Sequence, residues 1–294
     1  MQLSKRNWRE YFQRTLSHNT ISIAGANQPQ YSSQADAVSQ VVFRRPLAKG
    51  PLVLLEGQFD CRNSAGKERR PANNLTPGYQ HQRTIIGYLP CMWIIIDRVK
   101  AEGEHRWISS YHLDAGCKAS AVQDHLELEA GGDIHDLRFM VPTGTELDVA
   151  IDQDWVSRLY NRKEHAKTVR ATICNASEAV LITVIHSHAD GPTRVSEAIP
   201  VRAASDSGDS THDIYCIRLT SNNSVTRLFI NPDGRAVKYN DLEFDAIVAV
   251  ESRFDGRLLE SGFLGGSYLR SDDFTLTGSQ QEAGAFRSYG VSQP

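Results

Sequence analysis

No stretch of the chain approaches the roughly 18 consecutive apolar residues that a membrane span requires, so a transmembrane helix is not expected. The opening residues, Met1-Gln-Leu-Ser-Lys-Arg-Asn-Trp-Arg-Glu10, lack the apolar core of a secretory signal, and on that ground the chain is expected to stay where it is made. Cysteine is sparse and scattered. Cys61, Cys91, Cys117, Cys174 and Cys216 show no C-x-x-C spacing, which argues against a zinc ribbon or a disulfide framework, and the odd number leaves at least one thiol unpaired within the chain. Neither sign of charge dominates: 32 Lys and Arg against 35 Asp and Glu give a formal net charge of -3. The basic field that nucleic-acid binding needs is therefore missing, and nucleic acid is not an expected partner. Segments that hold a 3.6-residue apolar period are nearly absent too, so long helices are not expected.

What is present is a composition of 40% hydrophobic and 23% charged residues over 294 positions, close to the average for folded globular chains and sufficient for a packed core. Short runs alternate apolar and polar residues between turn signals, the pattern of antiparallel strands with one buried face. The runs are Thr20–Ala24, Val38–Arg44, Leu52–Phe59, Gln82–Tyr88, Met92–Val99, His105–His112, Ala121–Leu128, Leu137–Val141, Thr168–Cys174, Val180–Ser187, Asp213–Thr220, Val225–Ile230, Leu242–Val250 and Leu258–Leu264. Asn231-Pro-Asp-Gly234 and Asp255-Gly256 supply tight turns, because glycine tolerates the positive φ that hairpins need. The fold class expected is all-β, a large antiparallel β-sandwich with a short N-terminal helix around Trp8–Arg14. Arg62–Pro77 reads as a long polar surface loop, and Gly278–Pro294, rich in Gly, Ser and Gln, as a flexible tail. Residues 1–277 are read as one sandwich domain. A softer break falls at Ala203–Thr211, where an exposed hairpin loop is the favoured alternative to a linker.

The densest local pattern lies at the start: Tyr11-Phe-Gln-Arg14-Thr15-Leu-Ser-His18-Asn19-Thr20 leads into an alternating strand. Further along come Gly78-Tyr79-Gln-His81-Gln-Arg83 with Asp97-Arg98, then Glu104-His105-Arg-Trp107 with Tyr111-His112-Leu113, then Trp155-Val-Ser157-Arg158-Leu-Tyr160-Asn-Arg-Lys163. In this order, over roughly residues 8–190, they resemble heparinase II/III-type polysaccharide lyases at the point where an N-terminal helical toroid gives way to a C-terminal β-sandwich. The resemblance implies that His18 reaches into a catalytic cleft. It also implies that the main catalytic partners, a tyrosine acid/base and an Asn or His from the toroid, have no counterpart in this chain.

The implied chemistry is β-elimination from a uronate sugar. A base removes the C5 proton, the C4–O bond breaks, and an acid protonates the departing oxygen. The C5 proton is weakly acidic, so the neighbouring carboxylate must be neutralised as charge develops. An imidazole suits proton transfer or donation to that carboxylate at neutral pH. The resemblance makes His18 the catalytic candidate, with Arg14, Asn19 and Tyr79 as substrate-binding candidates; Arg14 is able to grip a carboxylate through two parallel bonds. Plainer readings stand beside these: a hydrogen-bonded boundary histidine, an arginine paired with an acidic neighbour, a tyrosine packed at a strand start. His186-Ser-His188 puts two imidazoles on one strand face, and His105, His112 and Asp60 lie on or beside other strands. Zinc needs three or four converging ligands, which spacing does not supply here. Some relatives hold zinc or calcium, using a histidine two positions beyond the first; Thr20 occupies that position here, and no metal or other cofactor is expected.

The resulting expectation is the C-terminal domain of a polysaccharide lyase acting on a uronate polymer such as alginate or a glycosaminoglycan, incomplete as a catalyst alone. The alternatives are a stand-alone carbohydrate-binding or assembly module without catalysis, and one half of a split lyase. The expected partners are an acidic polysaccharide and a separately encoded helical toroid. Full-length relatives are commonly periplasmic or secreted, which stands against the missing signal.

Overall fold

The computed structural model describes residues 5–24, 26, 41–43, 46–60, 79–142, 144–159, 162–187, 194–203, 212–221, 223–278 and 284–289. The loop expected at Arg62–Pro77, most of the polar stretch at 203–211, both ends of the Val38–Arg44 run, Cys61 and His188 lie outside the described residues. The chain opens with helix α1 (Lys5–Phe12) and a single 3-10 turn (Thr15–Ser17). Strands follow: β1 (Ile21–Ile23), β2 (Val41–Phe43), β3 (Leu47–Lys49), β4 (Leu52–Asp60), β5 (Tyr79–Tyr88), β6 (Met92–His112), β7 (Lys118–Val122), β8 (His125–Ala130), β9 (Asp133–Met140), β10 (Leu147–Val156) and β11 (Glu164–Ser187). The remainder are β12 (Arg194–Ala203), β13 (His212–Ser221), β14 (Ser224–Ile230), β15 (Val237–Tyr239), β16 (Leu242–Phe244), β17 (Val248–Phe254), β18 (Arg257–Leu264), β19 (Tyr268–Ser271), β20 (Phe274–Thr277) and β21 (Gly284–Ser288). The fold class is all-β, an antiparallel β-sandwich, as the alternation predicts.

β1 to β11 make one sheet in the order β2-β4-β5-β6-β11-β9-β8-β7, with β1 paired to β6, β10 to β11 and β3 to β4. β12-β13-β14-β17-β18-β21 make a second sheet and β15-β16-β19-β20 a third. By contacts the chain divides into two compact units, the first comprising Met1–Phe43, Gly57–Arg83 and Asp97–Leu181, the second Arg44–Glu56, Thr84–Ile96 and Ile182–Pro294. The division thus falls inside β4, β5, β6 and β11 rather than at 203–211.

In the first unit Ile21, Ile23, Tyr79, Val99, Trp107, Ile173 and Leu181 form the core. Trp107 is fully buried, and its Nε1–H donates to the Ala176 carbonyl at 2.8 Å, which satisfies the one polar atom of the indole. In the second unit the six-stranded and four-stranded sheets share a core of Ile214, Cys216, Phe229, Val237, Leu242, Phe244, Ala249, Phe263, Leu269 and Leu276. Aliphatic and aromatic residues from both sheets fill this core.

Three sequence expectations are corrected. Met92–Val99 and His105–His112 are one strand, β6, and Thr168–Cys174 and Val180–Ser187 are one strand, β11. Gly103 (φ +78°) and Asn175 (φ +52°), which look like turn residues, sit as left-handed positions within those strands. Conversely, Leu242–Val250 is two strands, β16 and β17. The supposed flexible tail contains β21, an edge strand paired with β18, in which Gly262 opposite Phe286 leaves room for the ring.

Candidate active site

Arg14, His18 and Asn19 lie in the first unit, on the chain between α1 and β1, and Tyr79 opens β5. Helix α1 is anchored by aromatic packing: Trp8 lies edge-on to Trp155 at 5.1 Å between ring centroids, and the Lys163 ammonium sits 3.5 Å from the Trp8 ring centroid. From the helix end, Arg14 N–H donates to Tyr11 O at 3.1 Å and Ser17 Oγ donates to the same carbonyl at 2.7 Å. His18 N–H donates to Thr15 O at 3.1 Å, and the His18 carbonyl accepts from Thr20 N–H at 2.9 Å. The chain then enters β1, which pairs antiparallel with the end of β6, Ile21 opposite Ser109 and Ile23 opposite Trp107. Ser110 N–H donates to Thr20 O at 3.0 Å and fixes the entrance. Arg14, His18 and Asn19 are all exposed, while Thr15 and β1 are buried. His18 therefore stands at the surface on a backbone whose hydrogen bonds are made.

Beneath this turn lies a buried charged group. Asp97 is fully buried; it accepts from Arg83 Nε at 2.7 Å and Arg83 Nη2 at 2.9 Å, and His81 Nε2 lies 2.7 Å from the same carboxylate. Burial alone would push the Asp97 carboxyl upward, but the hydrogen bonds from His81 and Arg83 and the guanidinium charge outweigh it and hold the pKa below the ordinary carboxylate value. Such a parallel two-bond fork is the strongest geometry for this pair. The remaining Arg83 nitrogen, Nη1, donates to the Asn19 carbonyl at 2.7 Å.

His112, the last residue of β6, faces the other side of Asn19. Its backbone N–H donates to Asn19 Oδ1 at 2.7 Å, and its Nδ1 lies 3.2 Å from the same oxygen, which places the proton on Nδ1. Burial, with the positive charges of Arg170 and His18, pushes the His112 imidazole down to about 4. At neutral pH it is uncharged, so the 3.8 Å approach of its Nε2 to Asp154 Oδ2 is not an ion pair. Asp154 instead accepts from Arg170 Nη2 at 2.7 Å and Thr168 Oγ1 at 3.2 Å.

Of the four candidates, the structure brings His18 and Asn19 together in one turn, with Arg14 exposed just before it. Tyr79 is 1% exposed and packs edge-on to Phe59 and Trp107 in the core of the first unit. Arg83, Asp97 and His112 were not assigned to the site from sequence. The signal for the first two was their place in the segments Gly78–Arg83 and Asp97-Arg98, which carry the resemblance. His186 is buried, and among the described residues no group of three or more His, Cys, Asp or Glu is placed to share a metal ion. Among the described residues no helix is long and apolar enough to cross a membrane.

No curated protein matches the chain. Among solved structures, the heparinase III BT4657 gene product superposes with a TM-score of 0.50 at 12% identity, over 88% of this chain and 32% of its own. The heparan sulfate lyase HepC from Pedobacter heparinus superposes with a TM-score of 0.51 at 10% identity, again over 88% of this chain and 32% of its own. The chain thus spans about a third of the length of these structures, and at such identities the likeness concerns the fold. A family model, "Heparinase II/III-like, C-terminal", matches residues 2–198, which include α1, the His18 turn and the Arg83–Asp97 pair. The chain belongs to the heparinase II/III-like, C-terminal family.

Proposed function

We propose that this chain is the β-sandwich portion of a polysaccharide lyase that cleaves uronate-containing polysaccharide by β-elimination, with His18 as its contribution to the reacting centre. The observation that carries the reading is an exposed imidazole on a hydrogen-bonded turn that leads into β1. At neutral pH an exposed histidine is able to donate to, or take a proton from, a sugar held against it. Arg14, exposed on the same turn, suits the uronate carboxylate. Catalysis is proposed to need a tyrosine acid/base from a helical domain, so the sandwich alone is a weak catalyst or none, because members of a catalytic constellation act as a unit. Heparan sulfate, the polymer in the name of one matching structure, is the first substrate to test, with alginate, hyaluronan and chondroitin beside it.

The experiment follows unsaturated-uronate absorbance for the chain alone and after mixing with a helical lyase domain encoded beside it. No turnover is expected alone, and turnover is expected on mixing. His18→Ala should lower the restored rate by more than about a hundredfold, the lower range for general acid–base or charge-stabilising groups. Wild-type turnover in His18→Ala refutes the assignment, and robust turnover by the chain alone refutes the dependence on a second domain.

A further inference from the structure

Asn19 is exposed, yet three protein donors converge on it: Arg83 Nη1 at 2.7 Å on its carbonyl, and the His112 backbone N–H at 2.7 Å and imidazole Nδ1 at 3.2 Å on its side-chain oxygen. The donors come from distant parts of the sequence, 64 and 93 positions away. Arg83 is itself immobilised, since two of its nitrogens are committed to Asp97, which His81 also contacts. Three of the five guanidinium N–H groups are thereby committed to acceptors within the protein. The His112 ring has no other hydrogen-bond partner among the described residues, its Nε2 being buried and unbonded, so Asn19 sets the orientation of that imidazole. The side-chain oxygen is thus the group the fold uses, and the two Nδ2 N–H donors are the part of the amide left to other partners. That oxygen is already occupied twice by the protein.

We propose that Asn19 is a positioning residue: clamped between Arg83 and His112, it fixes the backbone from which His18 projects its imidazole. The buried Asp97–Arg83–His81 group is the rigid base of that clamp. The inference rests on the reading of His18 as the reacting group, and it assigns Arg83 and His112 the task of presenting it.

The test records long-range proton–nitrogen correlation spectra of the histidine side chains, and titrates a heparan sulfate hexasaccharide, for wild type, Asn19→Ala, Asn19→Asp and Arg83→Lys. In wild type the His112 ring should show the Nδ1–H tautomer and the His18 ring one narrow set of signals. Asn19→Ala should lose that tautomer signature, shift or broaden the His18 signals, and weaken the hexasaccharide by about tenfold, the scale of one lost hydrogen bond. Asn19→Asp keeps the acceptor, so it should restore the His18 signals and raise the pH at which His112 titrates. Arg83→Lys lacks the fork needed to reach Asp97 and Asn19 together and should shift the His18 signals as Asn19→Ala does. Unchanged His18 signals in Asn19→Ala, or no restoration by Asn19→Asp, overturn the proposal. If Asn19→Ala does not fold, unchanged His18 signals in Arg83→Lys overturn it equally. If the signals respond as expected while hexasaccharide affinity is indifferent to His18→Ala, the positioning role stands and the functional reading of His18 falls.

Discussion

Removal of the His112 imidazole should change how stability depends on pH, in a direction fixed by the geometry. In the folded chain the imidazole titrates at about 4; in the unfolded chain it titrates near its ordinary value of 6.5. Between these two values the unfolded state holds a proton that the folded state does not, so acidification favours unfolding. The wild type therefore loses stability as pH falls from 6.5 towards 4, and keeps the full contribution of a neutral, hydrogen-bonded ring only above 6.5. At about 1.4 kcal/mol per pH unit the interval corresponds to about 3 kcal/mol. The site borders solvent and includes the exposed His18, so screening reduces this to about 1–2 kcal/mol. His112→Gln should be less stable than wild type by about 1 kcal/mol at pH 7.5, for the lost bond to Asn19. The gap should close or reverse by pH 4.5, because glutamine takes up no proton. Urea unfolding followed by tryptophan fluorescence at half-unit steps of pH measures the gap directly. A difference between the two proteins that stays constant from pH 7.5 to 4.5 refutes the account of His112 as a ring held neutral by burial and by Arg170 and His18.

Asp97→Ala should cost about 3–5 kcal/mol in the same assay, since it leaves Arg83 and His81 without their buried counter-charge. Because the Asp97 pKa is depressed on folding, its own contribution is present above the ordinary carboxylate pKa near 4 and lost as pH falls through the folded value; the penalty of Asp97→Ala should accordingly shrink in strong acid. Tyr79→Ala should cost about 3–5 kcal/mol as a core truncation, while Tyr79→Phe leaves hexasaccharide affinity unchanged; a loss of affinity in Tyr79→Phe would return this residue to the binding site. Gly266→Ala should destabilise the second unit by about 2–3 kcal/mol, seen as a lower thermal midpoint, because its Cβ would lie 2.5 Å from Ala246 Cα and 2.7 Å from Ala246 N, backbone atoms with no rotamer to give.

Local information carried the fold class. The short apolar runs around residues 82–88, 225–230 and 258–264, bounded by turn residues, mark strands whatever their partners are, and each run lies in a strand. Turn chemistry was equally local: Gly234 (φ +60°), Asp255 (φ +47°) and Gly256 (φ +77°) hold the left-handed conformations that their sequence predicts. Where the same chemistry misled, tertiary pairing had overruled it. Gly103 and Asn175 carry turn-like conformations, yet their strands continue through them. The shortest strands, Val237–Tyr239 and Tyr268–Ser271 among them, are too brief to show a period and exist through pairing with neighbours.

The candidate site divides along the same line. The His18-Asn19-Thr20 run was conspicuous in the sequence because it is contiguous. Its clamps were not, since Arg83 and His112 meet Asn19 only through the antiparallel register of β1 on β6 and the pairing of Arg83 with Asp97 across the sheet. Register is a long-range property, set by which faces are buried together, and a shift of one residue would turn each side chain to the opposite face. The sequence by itself thus determined the fold class, many of the strands and turns, and the His18-Asn19-Thr20 run. Only the tertiary structure decided that Tyr79 belongs to the core and that Asn19 is gripped from both sides, because burial and cross-strand contact arise from pairings between residues far apart in the chain.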